Sequence, residues 1–275
     1  MPRHIACLTF DFDTWSGFAA RGLTTPTAVS RGEFGLVGAA RLLDLMAKHG
    51  IRTSWFVPGV VIDSYEKECA RVVEAGHEIG HHGYSHTAPA ALSPAQEEDE
   101  LVRGRECIKR ISGRYPRGYR SPSWDLSAVT IDLLLKHGFD YESSMMGHDH
   151  EPYWARKGDK VSADKPIVHG ETTKLVEMPI SWSLDDHPHF EFYRTKDFLM
   201  PGLANAEAVL GNWVDDFLYM TQSTDWGVLT YTCHPYVIGR GHRMMMLERL
   251  ILRLQELGAV FLTMEEAVDE FRARA

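Results

Sequence analysis

Four histidines fall within the ten residues His77–His86, HEIGHHGYSH, and two of them, His82 and His86, stand four apart. That spacing lets two imidazoles converge on one metal ion, and imidazole is a common zinc ligand. Two ligands do not make a catalytic centre. A third is usual, with one position left open for water. A donor is offered far upstream in Leu8–Asp13, LTFDFD, where two carboxylates, Asp11 and Asp13, leave the end of an apolar run. Such a set would bind a metal and activate water. The plainer alternative is a solvated histidine loop, or imidazoles that cap and pack locally.

The elements that would position these residues follow from hydrophobic spacing. Ile5–Phe10 reads as a buried strand with Asp11–Asp13 at its C-terminal end. Phe34–His49 carries helical spacing through Leu36, Ala39, Leu42, Leu43 and Met46. Arg52–Val57 is the next strand, Tyr65–Ala75 a helix, and His77–His81 a short strand running into the histidine loop. Ser93, Pro94 and Gln96 mark a helix start, with Ser as cap, Pro first and Gln three residues later. Gly118–Arg120 is a brief strand ending in RSPSW. Ser127–His137 is a helix. Phe139–Glu142, Lys174–Met178, Gly227–Cys233 and Ala259–Leu262 complete the strands.

One junction recurs: KHG before IRTSWF, EAG before HEIG, KHG before FDYES, ELG before AVFLT. Each is a helix end, a glycine able to adopt the left-handed cap, then a strand. This is the grammar of repeated βα units and a mostly parallel sheet. Seven or eight strands in 275 residues favour one (β/α) barrel over two domains. Two stretches break the rhythm, at about 144–171 and 182–203. They read as long loops, and their aromatics Tyr153, Trp154, Phe190, Phe192 and Tyr193 suit a lid over the barrel mouth, with an oligomer interface as the alternative.

Placed on these strands, the polar residues gather. Asp11 and Asp13 follow the first strand, His82 and His86 the third, Arg120 and Trp124 the fourth, and His234 the strand LTYTC. All fall at C-terminal strand ends, where a parallel barrel builds its active site.

The totals agree. Net charge is −9, and no basic stripe is available to follow phosphates, so nucleic acid is not the expected partner. No apolar run approaches a membrane span. Cys7, Cys69, Cys107 and Cys233 are scattered, without a CxxC motif. The N-terminus, MPRHIACLTF, is too short for a signal peptide and leads straight into a strand. A cytoplasmic protein is expected.

LTFDFD, HGYSH, RSPSW and TYTCHP, in this order, resemble the motifs of the polysaccharide deacetylases, carbohydrate esterase family four, also called the chitooligosaccharide deacetylase homology domain. The resemblance runs from about Ile5 to Leu262. It implies a distorted (β/α) barrel of seven or eight mostly parallel strands over residues 1–275, holding one divalent metal ion, usually Zn2+. It assigns Asp13, His82 and His86 as metal ligands and Asp11 as the catalytic base. Arg120 would orient that base, Trp124 would wall the groove, and His234 would be the general acid. Trp182 is a further candidate for the pocket wall.

Two departures narrow the resemblance. Phe12 separates aspartates that are adjacent in the usual first motif, and Gly83 stands where Ser or Thr usually follows the first motif histidine. Both are similar to a cytoplasmic branch with peptidoglycan-deacetylase-like proteins, cyclic imide hydrolases and relatives resembling allantoinase.

The chemistry needs these residue types. An amide carbonyl is a poor electrophile. A metal polarises it and lowers the pKa of bound water. A carboxylate held ionised by Arg takes the proton, and His returns one to the leaving amine. The expectation is therefore a metal-dependent hydrolase of an amide C–N bond, an N-deacetylase. A cyclic imide or ureide hydrolase is the first alternative, and a non-catalytic binding barrel the second. The substrate is expected to be a small amide, imide or amino sugar.

Other polar residues carry weaker expectations. His77 and His81 lie within a strand and read as structural. Asp225 and Asp140 are candidates to orient a catalytic His or Arg. Asp185, Asp186, His187 and His189 read as a solvated loop, with a second metal site as the alternative, and His148 and His150 read the same way.

Overall fold

A computed structural model describes residues 2–194 and 198–275. Its strands, in chain order, are β1 (Arg3–Asp11), β2 (Ser54–Val57), β3 (Glu78–His81), β4 (Gly118–Tyr119), β5 (Tyr141–Glu142), β6 (Tyr153–Lys157), β7 (Lys160–Ser162), β8 (Lys165–Val168), β9 (Glu171–Glu177), β10 (Tyr193–Arg194), β11 (Leu199–Met200), β12 (Trp226–Cys233) and β13 (Val260–Phe261). One nine-stranded sheet runs in the order β12-β1-β2-β3-β4-β5-β9-β6, with β13 also paired to β1. Every pairing in it is parallel except β6 with β9, so eight strands share one direction. Between the two ends of the sheet, Asp185 bridges Thr232 and Val228 donates its N–H to the His150 carbonyl. The result is the distorted (β/α) barrel expected.

The strands are legible because both of their faces are buried, the condition under which a parallel strand reads as a continuous apolar run. Ile5 and Cys7 face the interior with Phe56, Tyr141, Val176 and Val228. Ala6, Leu8 and Phe10 face the surrounding helices. Helix Gly241–Glu256 shows the complementary pattern, burying Leu247, Leu250, Ile251 and Leu254 at a spacing of three, one and three. Each such side chain contributes about 1.5–3 kcal/mol when fully buried. The junction glycines Gly50, Gly76, Gly138 and Gly258 have φ of +64°, +80°, +76° and +80°, the left-handed cap that the recurring motif predicts. Ser93 and Gln96 form the expected reciprocal cap on helix Pro94–Ser112.

The segment at 144–171 differs from expectation. It is largely extended: β6 adds an antiparallel edge to the sheet, and β7 pairs with β8 as an exposed ribbon. Period-two alternation is missing there because the ribbon buries neither face, so no apolar side is selected. The described part of 182–203 holds helix Asp186–Phe190 and the short hairpin β10–β11. No helix among the described residues is long and apolar enough to cross a membrane.

Candidate active site and metal centre

Odd-numbered residues of β1 point inward, and Asp11 continues that series at the strand's C-terminal end. Asp13 lies two residues on. Phe12 turns the other way into the helix-side core, edge-on to Trp55 at 5.7 Å. The intervening Phe12 thus keeps both carboxylates on one side of the chain, as a period of two requires.

Arg120, directly after β4, is fully buried. It donates from Nη1 to Asp11 Oδ1 at 2.7 Å and to Thr9 Oγ1 at 2.8 Å. Nε reaches the Ser143 carbonyl and Nη2 the Ser143 hydroxyl, both at 3.1 Å. The guanidinium carbon also lies 4.2 Å from the centroid of the Phe56 ring. Asp11 is therefore met by a cation whose own position is set on several sides.

Asp13 faces two imidazoles. Its Oδ1 is 3.4 Å from His82 Nε2 and its Oδ2 is 3.2 Å from His86 Nε2. Donors about 2.0–2.1 Å from a tetrahedral ion stand roughly 3.3 Å apart, so the spacing fits a zinc-sized ion. Asp13 Oδ1 is buried with no hydrogen-bond partner, which is expensive unless something else answers it. His82 donates from Nδ1 to the Arg120 carbonyl at 2.8 Å, which leaves Nε2 as a bare lone pair aimed at the gap. Burial, outweighing the nearby carboxylates, pulls His82 below its ordinary pKa, toward the neutral form a metal ligand needs. Burial pushes Asp13 upward, but the neighbouring imidazoles, His86 first, then His82 and His234, hold it well below the carboxylate range.

Gly83, where the motif departs, has φ of +68°, and a Cβ there would lie 3.0 Å from the Pro122 ring. A side chain at this turn would be strained and crowded. Four of the five non-glycine residues with positive φ among those described, Thr14, His86, Ser123 and Trp124, also belong to the loops around this gap. Such strain persists where surrounding structure over-determines it.

His234 follows β12. Its Nε2 is 3.7 Å from Asp13 Oδ2. On its far side Nδ1 donates to Asp186 Oδ1 at 2.8 Å, and its backbone N–H is 3.0 Å from both Asp186 oxygens. Asp185 Oδ1 is 3.5 Å from the same Nδ1. Burial alone would lower His234, but the charge of Asp185 and the hydrogen bond and charge of Asp186 raise it well above an ordinary histidine. Burial pushes both carboxyls up, Asp185 to about 8.

Trp124 and Trp182 stack with ring centroids 4.1 Å apart and planes at 24°. Both line the cavity over the donors, whose free volume is about 40 Å³, and Trp182 keeps 44 % of its surface exposed. That volume admits a few waters or a small acyl group.

All eight residues expected at the site, Asp11, Asp13, His82, His86, Arg120, Trp124, Trp182 and His234, line this cavity or contact residues that do. Other expectations need correction. Asp140 pairs with Arg117 and Arg272, and the Asp225 carbonyl accepts from Arg3 N–H at the opposite end of the barrel. Neither orients a site residue. Asp185 and Asp186, expected in a solvated loop, are buried and do that work. The signal available was their position shortly after the strand ending in Met178, the same strand-end rule that located the rest. His187 lines the cavity, whereas His189 contacts the Ser183 carbonyl.

His77 and His81 are structural as expected. The Thr53 N–H donates to His77 Nδ1, and the Gly83 N–H donates to His81 Nδ1. Burial lowers His77 to about 4 and His81 to about 3. His148 sits in an exposed turn, accepting N–H groups of His150 and Glu151, while His150 is buried. Of the five aromatics expected in a lid, Trp154 packs on Phe271 and Phe190 is core, and none of residues 145–171 lines the site.

The sequence of residues 36–142 matches the polysaccharide deacetylase family. The peptidoglycan deacetylase of Helicobacter pylori is 37 % identical over 278 residues, covering 96 % of this chain and 94 % of that protein. A peptidoglycan deacetylase-like protein of Gibberella zeae is 29 % identical over 291 residues, covering 96 % and 85 %. A solved structure from Mycobacterium smegmatis, a candidate polysaccharide deacetylase, has a TM-score of 0.82 at 28 % identity, covering 99 % of this chain and 91 % of that one. An allantoinase shares the fold, with a TM-score of 0.77 at 18 % identity and coverage of 98 % and 90 %.

Proposed function

The chain belongs to the polysaccharide deacetylase family, and on that premise we propose that it is a metal-dependent hydrolase of non-peptide amide C–N bonds, an N-deacetylase of small soluble N-acylated compounds. One observation carries the reading: a buried Asp13 oxygen without a hydrogen-bond partner, beside two imidazole Nε2 atoms at ion-sharing distance.

Asp13, His82 and His86 would hold the ion, with zinc the best match to one carboxylate and two imidazoles. When bound it would polarise the acyl carbonyl and lower the pKa of a water beside it. The remaining work belongs to the chain. Asp11 takes the proton as the water oxygen bonds to the carbonyl carbon. Arg120 fixes that carboxylate in direction through the Nη1–H bond to Asp11 Oδ1. His234 carries its proton on Nε2 toward the leaving nitrogen, and Asp186 holds the ring by Nδ1–H. The C–N bond breaks, leaving a carboxylate and a free amine. The Trp124–Trp182 stack walls the site and limits water.

The flat wall of the Trp124–Trp182 stack over the donors supports a second reading, hydrolysis of a cyclic imide by the same residues. The absence of any disulfide among the four buried cysteines suits a cytoplasmic setting.

The test is metal analysis of the purified protein together with turnover on N-acetyl amino sugars and on cyclic imides. One equivalent of zinc and amine release from short N-acetyl compounds are expected. Imide opening without deacetylation would select the second reading. A protein that binds no divalent metal would overturn both.

A further inference from the structure

A second cavity of about 380 Å³ adjoins the site and shares Arg21, His187 and Tyr236 with it. Its other walls include Phe18, Glu191 and Tyr193. Its chemistry is mixed: aromatic faces with two charged groups. Glu191 is already answered, since its carboxylate lies 2.5 Å from Arg31 Nη2. Arg21 is not. It is exposed, donates from Nη1 to the Gly17 carbonyl at 2.7 Å, and has no carboxylate within ion-pair distance among the described residues. A Cβ on Gly17 would lie 3.4 Å from Arg21 Nη1 and 3.7 Å from Asp13 Oδ2. The guanidinium and the metal-ligand carboxylate thus flank one small gap, and the side cavity opens beside it.

We propose that this cavity is a substrate subsite for a carboxylate-bearing group, with Arg21 as the residue that determines specificity for it. The proposal rests on the N-deacetylase reading and names its substrate class: an N-acylated compound with a carboxylate on the same small molecule. The acyl group enters the narrow space over Asp13, His82 and His86. The carboxylate turns into the wider cavity, where the planar guanidinium can take both oxygens. Phe18, Tyr193 and Tyr236 cover the carbon skeleton between them. A neutral analogue fills the same space but leaves the cation without a partner.

The experiment compares matched pairs: N-acetylmuramic acid against N-acetylglucosamine, which differ by a carboxylate-bearing ether, and an N-acetyl amino acid against its methyl ester. Kinetics are followed in the parent, in Arg21→Gln and in Arg21→Glu. In at least one pair the parent favours the acid in kcat/KM, and Arg21→Gln lowers that preference about 10- to 100-fold, mainly through KM. Arg21→Glu reverses it. The pair that responds identifies the carrier of the carboxylate. A preference that survives Arg21→Gln, or equal loss of kcat on acid and neutral substrates, overturns the subsite.

Calorimetric binding of muramic acid against glucosamine separates this from failure of the deacetylase reading. A parent that turns over neither pair but binds the acid through Arg21 keeps the subsite and loses the reaction. Binding that ignores both the acid and Arg21, in a parent that turns over nothing, removes both.

Discussion

Asp186 holds His234 at three points: Oδ1 accepts Nδ1–H at 2.8 Å, and both carboxylate oxygens lie 3.0 Å from the backbone N–H of the same residue. The ring is thereby fixed with Nε2 toward Asp13, and its proton is held by negative charge. Asp186→Asn removes that charge at equal size, keeps one acceptor oxygen for Nδ1–H, and turns an NH2 toward the backbone N–H. The His234 pKa then falls, so the alkaline limb of the kcat profile moves to lower pH, and kcat drops about 10- to 100-fold. A pH–rate series on parent and variant measures both. An unmoved alkaline limb would assign the proton donor elsewhere.

Asp11 pairs with Arg120, whereas Asp13 faces His82 and His86. Asp11→Asn is therefore expected to keep one equivalent of metal and lose about 10²- to 10⁴-fold in turnover. Metal analysis and single-turnover assays on one preparation are sufficient. If metal and activity vanish together, Asp11 is a ligand and the division of labour is wrong.

His82→Ala removes one of three donors and the link to the Arg120 carbonyl. Parent protein gains roughly 2.7 kcal/mol when zinc is supplied at 100 times its dissociation constant, and the variant gains almost none. Thermal unfolding with and without added zinc reads this directly. Equal stabilisation of parent and variant by zinc contradicts the ligand set.

Glu78 lies in the barrel interior, hydrogen-bonded by Ser54, Tyr141 and the Glu265 N–H. Burial, aided by the charge of Glu265, raises its pKa from 4.5 to about 7. A raised pKa means that the folded chain keeps a proton that the unfolded chain gives up. The stability from Glu78 is thus complete below about pH 4.5 and is lost as pH rises toward 7. The total is at most ~3 kcal/mol. Denaturant melts between pH 4.5 and 7.5 should show that component of the slope, and Glu78→Gln should flatten it. Parallel curves for parent and variant would show that Glu78 titrates alike in both states.

The barrel and most of the site were legible because the same rule wrote both. An apolar run buried on two faces marks a parallel strand, and the polar residues at its C-terminal end have few other places to go. Asp11, His82, Arg120 and His234 all follow that rule. Asp186 follows it too, but it sits in a stretch dense in His, Pro and acids, where a solvated loop and a buried acid look alike by composition. Asp140 and Asp225 misled for the opposite reason. Each is an isolated acid next to a strand, but at the N-terminal side of the barrel, which composition alone does not mark. The exposed ribbon β7–β8 left no trace because neither of its faces is buried.

The pairing of β1 with β12 joins residues 223 positions apart, from Arg3 with Trp226 to Phe10 with Cys233. Asp13, His82 and His86 all occur in the first third of the chain, whereas Asp185, Asp186 and His234 are made late. During synthesis, the nascent protein therefore presents the three proposed metal donors long before β12 has left the ribosome. Formation of that pairing is a non-local event, slow by topology. A cation captured early by the N-terminal portion would tether Asp13 at the end of β1 to the loop after β3, shortening the search that β12 must complete. Metal supply would then govern how fast this chain matures as well as what it can do afterwards.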